Sequence, residues 1–347
     1  MAKRTVVAGT WQIQTNDPGT ARFPSLDVTG IFPLDTKIST MEQVVTDFYD
    51  GAQSLLVHSS IPPLYIFVAP EYYFKRTLTQ RCLTKEERDT ARTAMSILAQ
   101  SKPNLLLIPG TVTWRKPLDK KAYAKAMERM AGRIELGGYS GVTKLPKPSG
   151  FFGKGTAKAD AAYNTAYLYM GPRIMKYHKM EDVGELAEED EGAIFIPGNG
   201  NNVFTISGLR IGMEICGDHE SHRLKEMVDV HIISSASVVR TDEHVMAKNG
   251  GLFIRADSGK AEITMVDRHA VTPLSEAPGT VITPQIGGNG AMQAAFDERW
   301  GTTKQLSRAT WAKHPDQKAP KKLSVQEDVR MAYGGKLTTA VVEVDTL

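Results

Sequence analysis

The sequence predicts an α/β fold in which sheets are flanked by helices. Three observations lead there. Short runs rich in Val, Ile, Tyr and Phe recur along the 347 residues, many of them bounded by Gly, Pro or Asn. In the first half they alternate with amphipathic stretches in the order β-α-β-α-β. In the second half strands dominate and clear helices are few. A chain of this length holds one large domain or two of ordinary size.

The first strand is RTVVAGTWQ (4–12). A helix over 40–57 follows, because Val44, Phe48, Ala52 and Leu55 recur at i, i+4, i+8 and i+11 and share one face. LYIFVA (64–69) is an apolar run of strand length. Over 84–100, Thr84 and Glu87 have the spacing of a capping box, and Ala91, Met95 and Leu98 line one side of a second helix. NLLLIPGTV (104–112) is the next strand. The stretch 115–160 then departs in composition, with eleven lysines and arginines against four acidic residues. Tyr123, Met127, Met130 and Ile134 mark a short helix in it, closed by Gly137 and Gly138. The remainder is Gly/Lys/Pro-rich and reads as an insertion, either a solvated excursion or a lid that attracts anions. Strands follow at NTAYLYM (164–170), NVFTI (202–206), RIGMEIC (210–216), DVHIISSA (229–236), EITMVD (262–267) and TTAVVEV (338–344), with 236–260 a loop. The polar, basic stretch 304–335 is an arm before the last strand. The extra length therefore reads as insertions on a single domain, 1–347.

Composition excludes several classes. Apolar residues make up 41% and charged residues 23%, as in an ordinary globular chain rather than a disordered one. A formal net charge of +3 gives no reason to expect a nucleic-acid partner. The run IPPLYIFVAP (61–70) has about half of the ~20 residues of a membrane-spanning helix, and the apolar run near the start is too short for a signal peptide. Two cysteines, Cys82 and Cys216, build no disulfide framework and point to a reducing compartment. The expectation is a cytoplasmic protein with neither a nucleic-acid nor a membrane partner.

Three segments carry candidate chemistry, and each has a plain alternative. In RIGMEICGDHE (210–220), Cys216 ends a strand and Gly217 follows, so a sharp turn can leave a backbone N–H aimed at a developing oxyanion. The plain alternative is a small buried hydrophobe. In VAPEYYF (68–74), Glu71 sits at a strand end among apolar neighbours, where loss of water raises a carboxyl into the range of a general base. Otherwise it is a solvated acid. In IMKYHKMEDVGE (174–185), Lys176, His178 and Lys179 follow a strand and turn, and a lysine there can hold a tetrahedral intermediate's charge. Otherwise these are surface groups.

Glu, Lys and Cys occur in that chain order, each at a strand end, and together these segments resemble the nitrilase superfamily of carbon–nitrogen hydrolases. FIPGNGNNVFTISGLRIGMEICGD (195–218) is similar to that family's Pro-Gly turn, strand, turn and glycine-hydrophobic strand ending in Cys-x-Asp. VAPEYYF is similar to its Pro-Glu segment, and YNTAYLYMGPRIMKYHKM to its Asn-Thr strand, turn and Tyr-x-Lys segment. Similarity covers about a third of the chain, mainly 64–74, 104–112 and 162–237. The resemblance implies a four-layer αββα sandwich and the catalytic positions Glu71, Lys179 and Cys216, with Tyr177-x-Lys179 favouring Lys179 over Lys176. It also implies a supporting glutamate, for which Glu185 is the candidate, although ELAEEDE (185–191) reads equally as a solvated acidic face. The family's His-Leu after the lysine is here Met180-Glu181-Asp182.

The implied activity is hydrolysis of a non-peptide carbon–nitrogen bond through a cysteine thioester, without metal or organic cofactor, in a homodimer or higher homo-oligomer. Gly217-Asp218 after the cysteine resembles the amide-directed branches rather than the nitrile-cleaving ones, which usually carry Trp-Glu. Nitrile hydrolysis, N-acyl transfer and a non-catalytic ligand-binding role stay open. Asp218 is expected to fix the turn by bonding backbone groups. A rival set, Asp218, His219 and His222 with His178, has zinc-ligand chemistry but not the helical His spacing. GNGNN (198–202) and GGNG (287–290) lack the setting of a phosphate loop and read as turns. Ser235, Arg240 and His244 are candidate substrate contacts.

Overall fold

A computed structural model describes residues 3–15, 32–54, 62–77, 80–118, 124, 160–182, 185–186, 193–259, 261–266 and 336–345. Among these, thirteen strands form two sheets. The first holds β1 (Lys3–Gln12), β2 (Leu64–Val68), β3 (Leu105–Ile108), β4 (Thr111–Pro117), β5 (Asp160–Met170), β6 (Arg173–His178), β7 (Ala193–Phe195) and β13 (Lys336–Asp345). Its order is β13-β1-β2-β3-β5-β4, and β6 and β7 also pair with β5. The second holds β8 (Val203–Ile206), β9 (Leu209–Ile215), β10 (Val228–Ser234), β11 (Ala247–Ala256) and β12 (Glu262–Met265), in the order β12-β11-β10-β9-β8. The middle strands β9, β10 and β11 run parallel, as do β1, β2 and β3.

Period-two alternation sets the layers. Val7, Trp11, Tyr65, Phe67, Leu105 and Leu107 turn to helices α1 (Leu34–Ser54) and α2 (Lys85–Ser101), where Val44, Phe48, Met95 and Leu98 meet them. Their neighbours Val6, Ala8, Ile66, Val68, Leu106 and Ile108 turn the other way, onto Ile211, Met213, Ile232 and Ile254 of the second sheet. β2 and β3 are unbroken apolar runs because both their faces are covered. Helix α1 lies so close over β1 that a Cβ on Gly9 would meet the Phe48 ring at 2.4 Å. The capping box of α2 is formed: Thr84 Oγ1 accepts from the Glu87 N–H at 3.1 Å, and Glu87 Oε2 accepts from the Thr84 N–H at 2.7 Å.

Several elements differ from their sequence reading. The run 104–112 is two strands, broken at Pro109-Gly110, where Gly110 has φ 81° and a Cβ would meet the Pro70 carbonyl oxygen at 2.3 Å. Helix α1 begins earlier than expected, at Leu34, and Leu55 lies outside the described residues. β6 folds back on β5 across a turn at Gly171 and Pro172. Ten residues of the 236–260 loop are β11, a largely buried strand that runs parallel to β10 with a register shift opposite Val228–Val230. The 115–160 insertion starts later than its composition suggests. β4 stays paired with β5 as far as Pro117 opposite Asp160, so the chain leaves and re-enters the sheet at matched positions. The helix expected there, apart from residue 124, the 304–335 arm and the 287–290 glycines lie outside the described residues.

The four-layer expectation is not met among the described residues, which form three layers: helices, sheet, sheet. The outer face of the second sheet, with Ile233, Ala247 and Phe253, is covered by the connections 216–227 and 235–246, from which Val238 and Val245 pack onto it. These connections are too short to carry long helices and hold only α3 (Gly217–Glu220) and a 3₁₀ turn at Asp242–His244. No described helix is long and apolar enough to cross a membrane.

Candidate active site

Glu71, Lys179 and Cys216 stand beyond the carboxyl ends of β2, β6 and β9, where open α/β sheets present reactive groups. Backbone bonds fix each segment. The Glu71 N–H donates across the sheets to Ser235 O at 3.2 Å. The Lys179 N–H donates to Asn164 O at 2.9 Å, and its carbonyl accepts from the Gly198 N–H at 2.8 Å. The Cys216 N–H donates to Ser234 O at 3.1 Å.

The side chains form one buried cluster. Lys179 Nζ donates to Glu71 Oε1 at 2.8 Å and to Glu185 Oε1. Asn164 Nδ2 donates to Glu71 Oε1 and to Glu185 Oε2, both at 2.8 Å, and Tyr72 Oη donates to Glu185 Oε2 at 2.9 Å. Glu71, Lys179 and Glu185 are each 0% exposed. The cluster thus withdraws two carboxyl groups and one ammonium from water. Among the described residues Glu71 Oε2 has no hydrogen-bond partner at contact distance, and the Cys216 thiol is a neighbour that acts on this carboxyl and is acted on by it. Cys216 is half-buried, its side chain packed against the apolar clusters on both faces of the second sheet.

Loss of water pushes Glu71 above the usual carboxyl range, with Lys179 opposing and Glu185 adding to the rise. Burial opposes the charge on Lys179, but Glu185 and Glu71 outweigh it and hold the ammonium well above the usual lysine value. Burial, then Glu71, pushes the Cys216 thiol up, against Lys179 and the Ala236 backbone. A thiol so raised keeps its proton at rest.

Cys216 has φ 47° and ψ −113°, a strained backbone for any residue with a Cβ. Such conformations cost about 1–3 kcal/mol and persist only where the surroundings enforce them. The strain sets the thiol at a sharp strand-to-helix turn. The Gly217 N–H that follows finds no acceptor among the described residues.

Asp218 does bond backbone groups, though not those of its own turn. Its Oδ1 accepts from the N–H groups of Met180 at 3.0 Å and Glu181 at 2.8 Å, and its Oδ2 from Tyr177 Oη at 2.7 Å. The chain after Lys179 is thereby tied to the turn after Cys216. Burial pushes this carboxyl up to about 7. Gly198 fixes the same chain from the other side, since a Cβ there would meet His178 O at 1.9 Å. Gly198→Ala is expected to lower stability by about 1–3 kcal/mol, the usual range for overpacking. A chemical melt checks the loss, and an unchanged midpoint would show that the contact yields freely.

Other sequence candidates lie elsewhere. Ser235 Oγ donates to Asp257 Oδ2, Arg240 pairs with Asp242 and Glu262, and His244 stacks on His222 with centroids 4.5 Å apart. His178 Nδ1 meets Thr165 Oγ1 at 2.8 Å. The rival metal set is therefore scattered: Asp218 serves the lysine segment, and His219 turns to Glu214 on the far face of β9. Asn164 and Tyr72 were not singled out by sequence; a polar Asn inside YNTAYLYM was the available signal. A cleft of about 680 Å³ beside β6 and β8, lined by Arg173, Lys176, His178 and Phe204 among others, does not include Glu71, Lys179 or Cys216.

No protein-family model matches the sequence, and no curated protein matches it. Among solved structures, the chain is similar to a carbon–nitrogen hydrolase from Helicobacter pylori, at 15% identity over 73% of this chain and 74% of that one, with a TM-score of 0.38. It is also similar to a glutamine-dependent NAD+ synthetase from Acinetobacter baumannii, at 12% identity over 70% of this chain, with a TM-score of 0.35. In that comparison it spans 34% of the synthetase.

Proposed function

We propose that the protein hydrolyses the carbon–nitrogen bond of a small amide through a thioester on Cys216, as nitrilase-superfamily enzymes do. The observation that carries this reading is a half-buried Cys216 on a strained turn beside a buried Glu71–Lys179–Glu185 cluster. Glu71 takes the thiol proton as Sγ attacks the amide carbonyl carbon. An ammonium has three donors; Lys179 uses two on Glu71 and Glu185, which leaves one for the oxyanion, beside the Gly217 N–H. Glu71 gives the proton to the leaving nitrogen as the carbon–nitrogen bond breaks, and ammonia or an amine departs. Water, deprotonated by Glu71, attacks the thioester. The acid leaves and the proton returns to sulfur. Glu185 and Asn164 hold Lys179 and Glu71 in register. The cycle calls on no metal or cofactor.

The test is a panel of small amides and nitriles given to the full chain and assayed for released ammonia or amine, with Cys216→Ala alongside. Release from one or more amides, lost in Cys216→Ala, is the expected result. Activity retained by Cys216→Ala would overturn the reading. Release from nitriles alone would move the substrate class, and condensation with an added amine acceptor would make the reaction acyl transfer.

A further inference from the structure

The strand that delivers Cys216 carries a second buried carboxylate on its opposite face. Met213 and Ile215 of β9 enter the core between the sheets, so Glu214 points outward beneath the connections 216–227 and 235–246. It is 0% exposed. Its Oε1 accepts from the Leu224 N–H at 2.7 Å, and its Oε2 accepts from His219 Nδ1 and His231 Nε2, each at 2.9 Å. Burial alone would raise this carboxyl; the two histidines outweigh it and hold it down, to about 2.

The spacing of one glutamate and two histidines suggests a cation site, but the hydrogen bonds assign it otherwise. His219 Nε2 lies 3.2 Å from the Thr241 N–H, and His231 Nδ1 lies 3.2 Å from the Met246 N–H. A backbone amide only donates, so both of those ring nitrogens are acceptors. Each neutral ring then carries its proton on the nitrogen facing Glu214 and has no lone pair there for a metal. The set is a carboxylate with three donors.

The donors come from pieces of chain that otherwise share little. His219 is on α3, Leu224 is in the chain leading to β10, and His231 is on β10. Through the ring nitrogens Glu214 also reaches Thr241 and Met246. His244 Nδ1 adds a bond to His219 O at 2.8 Å. One carboxylate thus gathers the connections that stand where a helical layer was expected. Cys216 lies between Glu214 and His219, and the bond between those two side chains spans the residue with φ 47°.

We infer that Glu214, His219 and His231 are positioning residues, which hold the Cys216 turn in its strained conformation from the far side of the sheet. The inference rests on the reading of Cys216 as nucleophile, but its test does not need turnover. Iodoacetamide is the probe, applied to the full folded chain, and alkylation of each cysteine is followed by peptide mass. Cys82 is 1% exposed and labels only when the fold opens, so it reports global unfolding within the same molecule.

His219→Ala removes the donor and is expected to slow Cys216 alkylation by about tenfold, as the relaxed turn carries the thiol away from the Lys179 ammonium that favours the thiolate and from the base that takes its proton, while Cys82 stays protected. His219→Asn keeps a donor where Nδ1 stood and is expected to restore most of the rate; Glu214→Gln is the companion should His219→Ala not fold. An unchanged or raised Cys216 rate with Cys82 protected would overturn the inference. So would a parallel rise at both cysteines, which is the signature of a merely structural contact. Failure of the amide panel in the wild-type chain would refute the proposed activity and leave these rates to judge the positioning role alone.

Discussion

Lys179→Met is expected to abolish amide turnover and to lower the stability of the fold by about 3–5 kcal/mol, the cost of removing one partner from a buried ion cluster. The ammonium lies between Glu71 and Glu185, all three 0% exposed. Methionine fills the same volume but leaves two carboxyl groups bridged by the Asn164 amide with no charge to balance them. Like charges so placed cannot both ionise cheaply, so one takes up a proton. The sign of the pH effect follows. Carboxyl groups whose values rise on folding favour the folded state at low pH, and that advantage is lost as pH climbs above the usual carboxyl value of about 4.5. The variant should therefore melt closer to the wild type at pH 5 than at pH 8. In the wild type the raised Lys179 value has the same sign but a higher window: its contribution is present up to the ordinary lysine range and is lost only above it. Thermal melts across pH 5–8 check this, and a variant that melts like the wild type at pH 8 would show that the cluster is not charged as described. Lys179→Arg should recover part of the stability without the activity, because a guanidinium is larger and its donors lie in one plane, so it cannot reproduce the compact tetrahedral donor set of an ammonium.

How much of this was legible in the sequence depends on where the signal sits. Glu71, Lys179 and Cys216 each end a recognisable strand, and the family resemblance grouped them and pointed to Glu185. Asn164 was harder. An asparagine inside an apolar strand has no periodic signature, and its place at the centre of the cluster comes from register: β5 sets it opposite Thr113 on one side and one residue before the Thr165–His178 pair on the other. β11 reads as a loop because Lys248, Asn249 and the Gly250-Gly251 pair break up its short apolar run, although the strand lies between β12 and β10 in its sheet. The expected outer helices came from resemblance alone. The histidines of DHESH were read with Asp218 as their carboxylate, yet His219 meets Glu214. Local spacing could not separate the two acids, because alternation along β9 sends Glu214 outward while the turn at Cys216 sends Asp218 toward the lysine segment.

Glu71→Gln is expected to reduce kcat by about 10²–10⁴-fold, the usual contribution of a general acid–base, with the melting temperature kept or raised. The two effects separate because of charge. Removing the carboxylate leaves Lys179 paired with Glu185, so the buried cluster goes from one excess negative charge to none. The amide oxygen can still accept from Lys179 and Asn164, as Glu71 Oε1 does, but the amide nitrogen replaces Oε2, the oxygen left open toward the thiol. A donor there cannot take the proton from Cys216, and burial has already pushed that thiol up, so little thiolate forms. The pH dependence separates a catalytic role from a structural one. In the wild type, kcat/KM should rise with pH as Glu71 ionises, along a limb lying above the ordinary carboxyl range because burial raises the folded-state value. That same rise means ionisation of Glu71 weakens the wild-type fold as pH increases from about 4.5, a penalty the variant lacks. The variant should be at least as stable as the wild type at neutral pH, nearly inactive, and without the acid limb in its residual rate. Activity within about tenfold of wild type, or an acid limb that survives the substitution, would assign the proton transfer to another group.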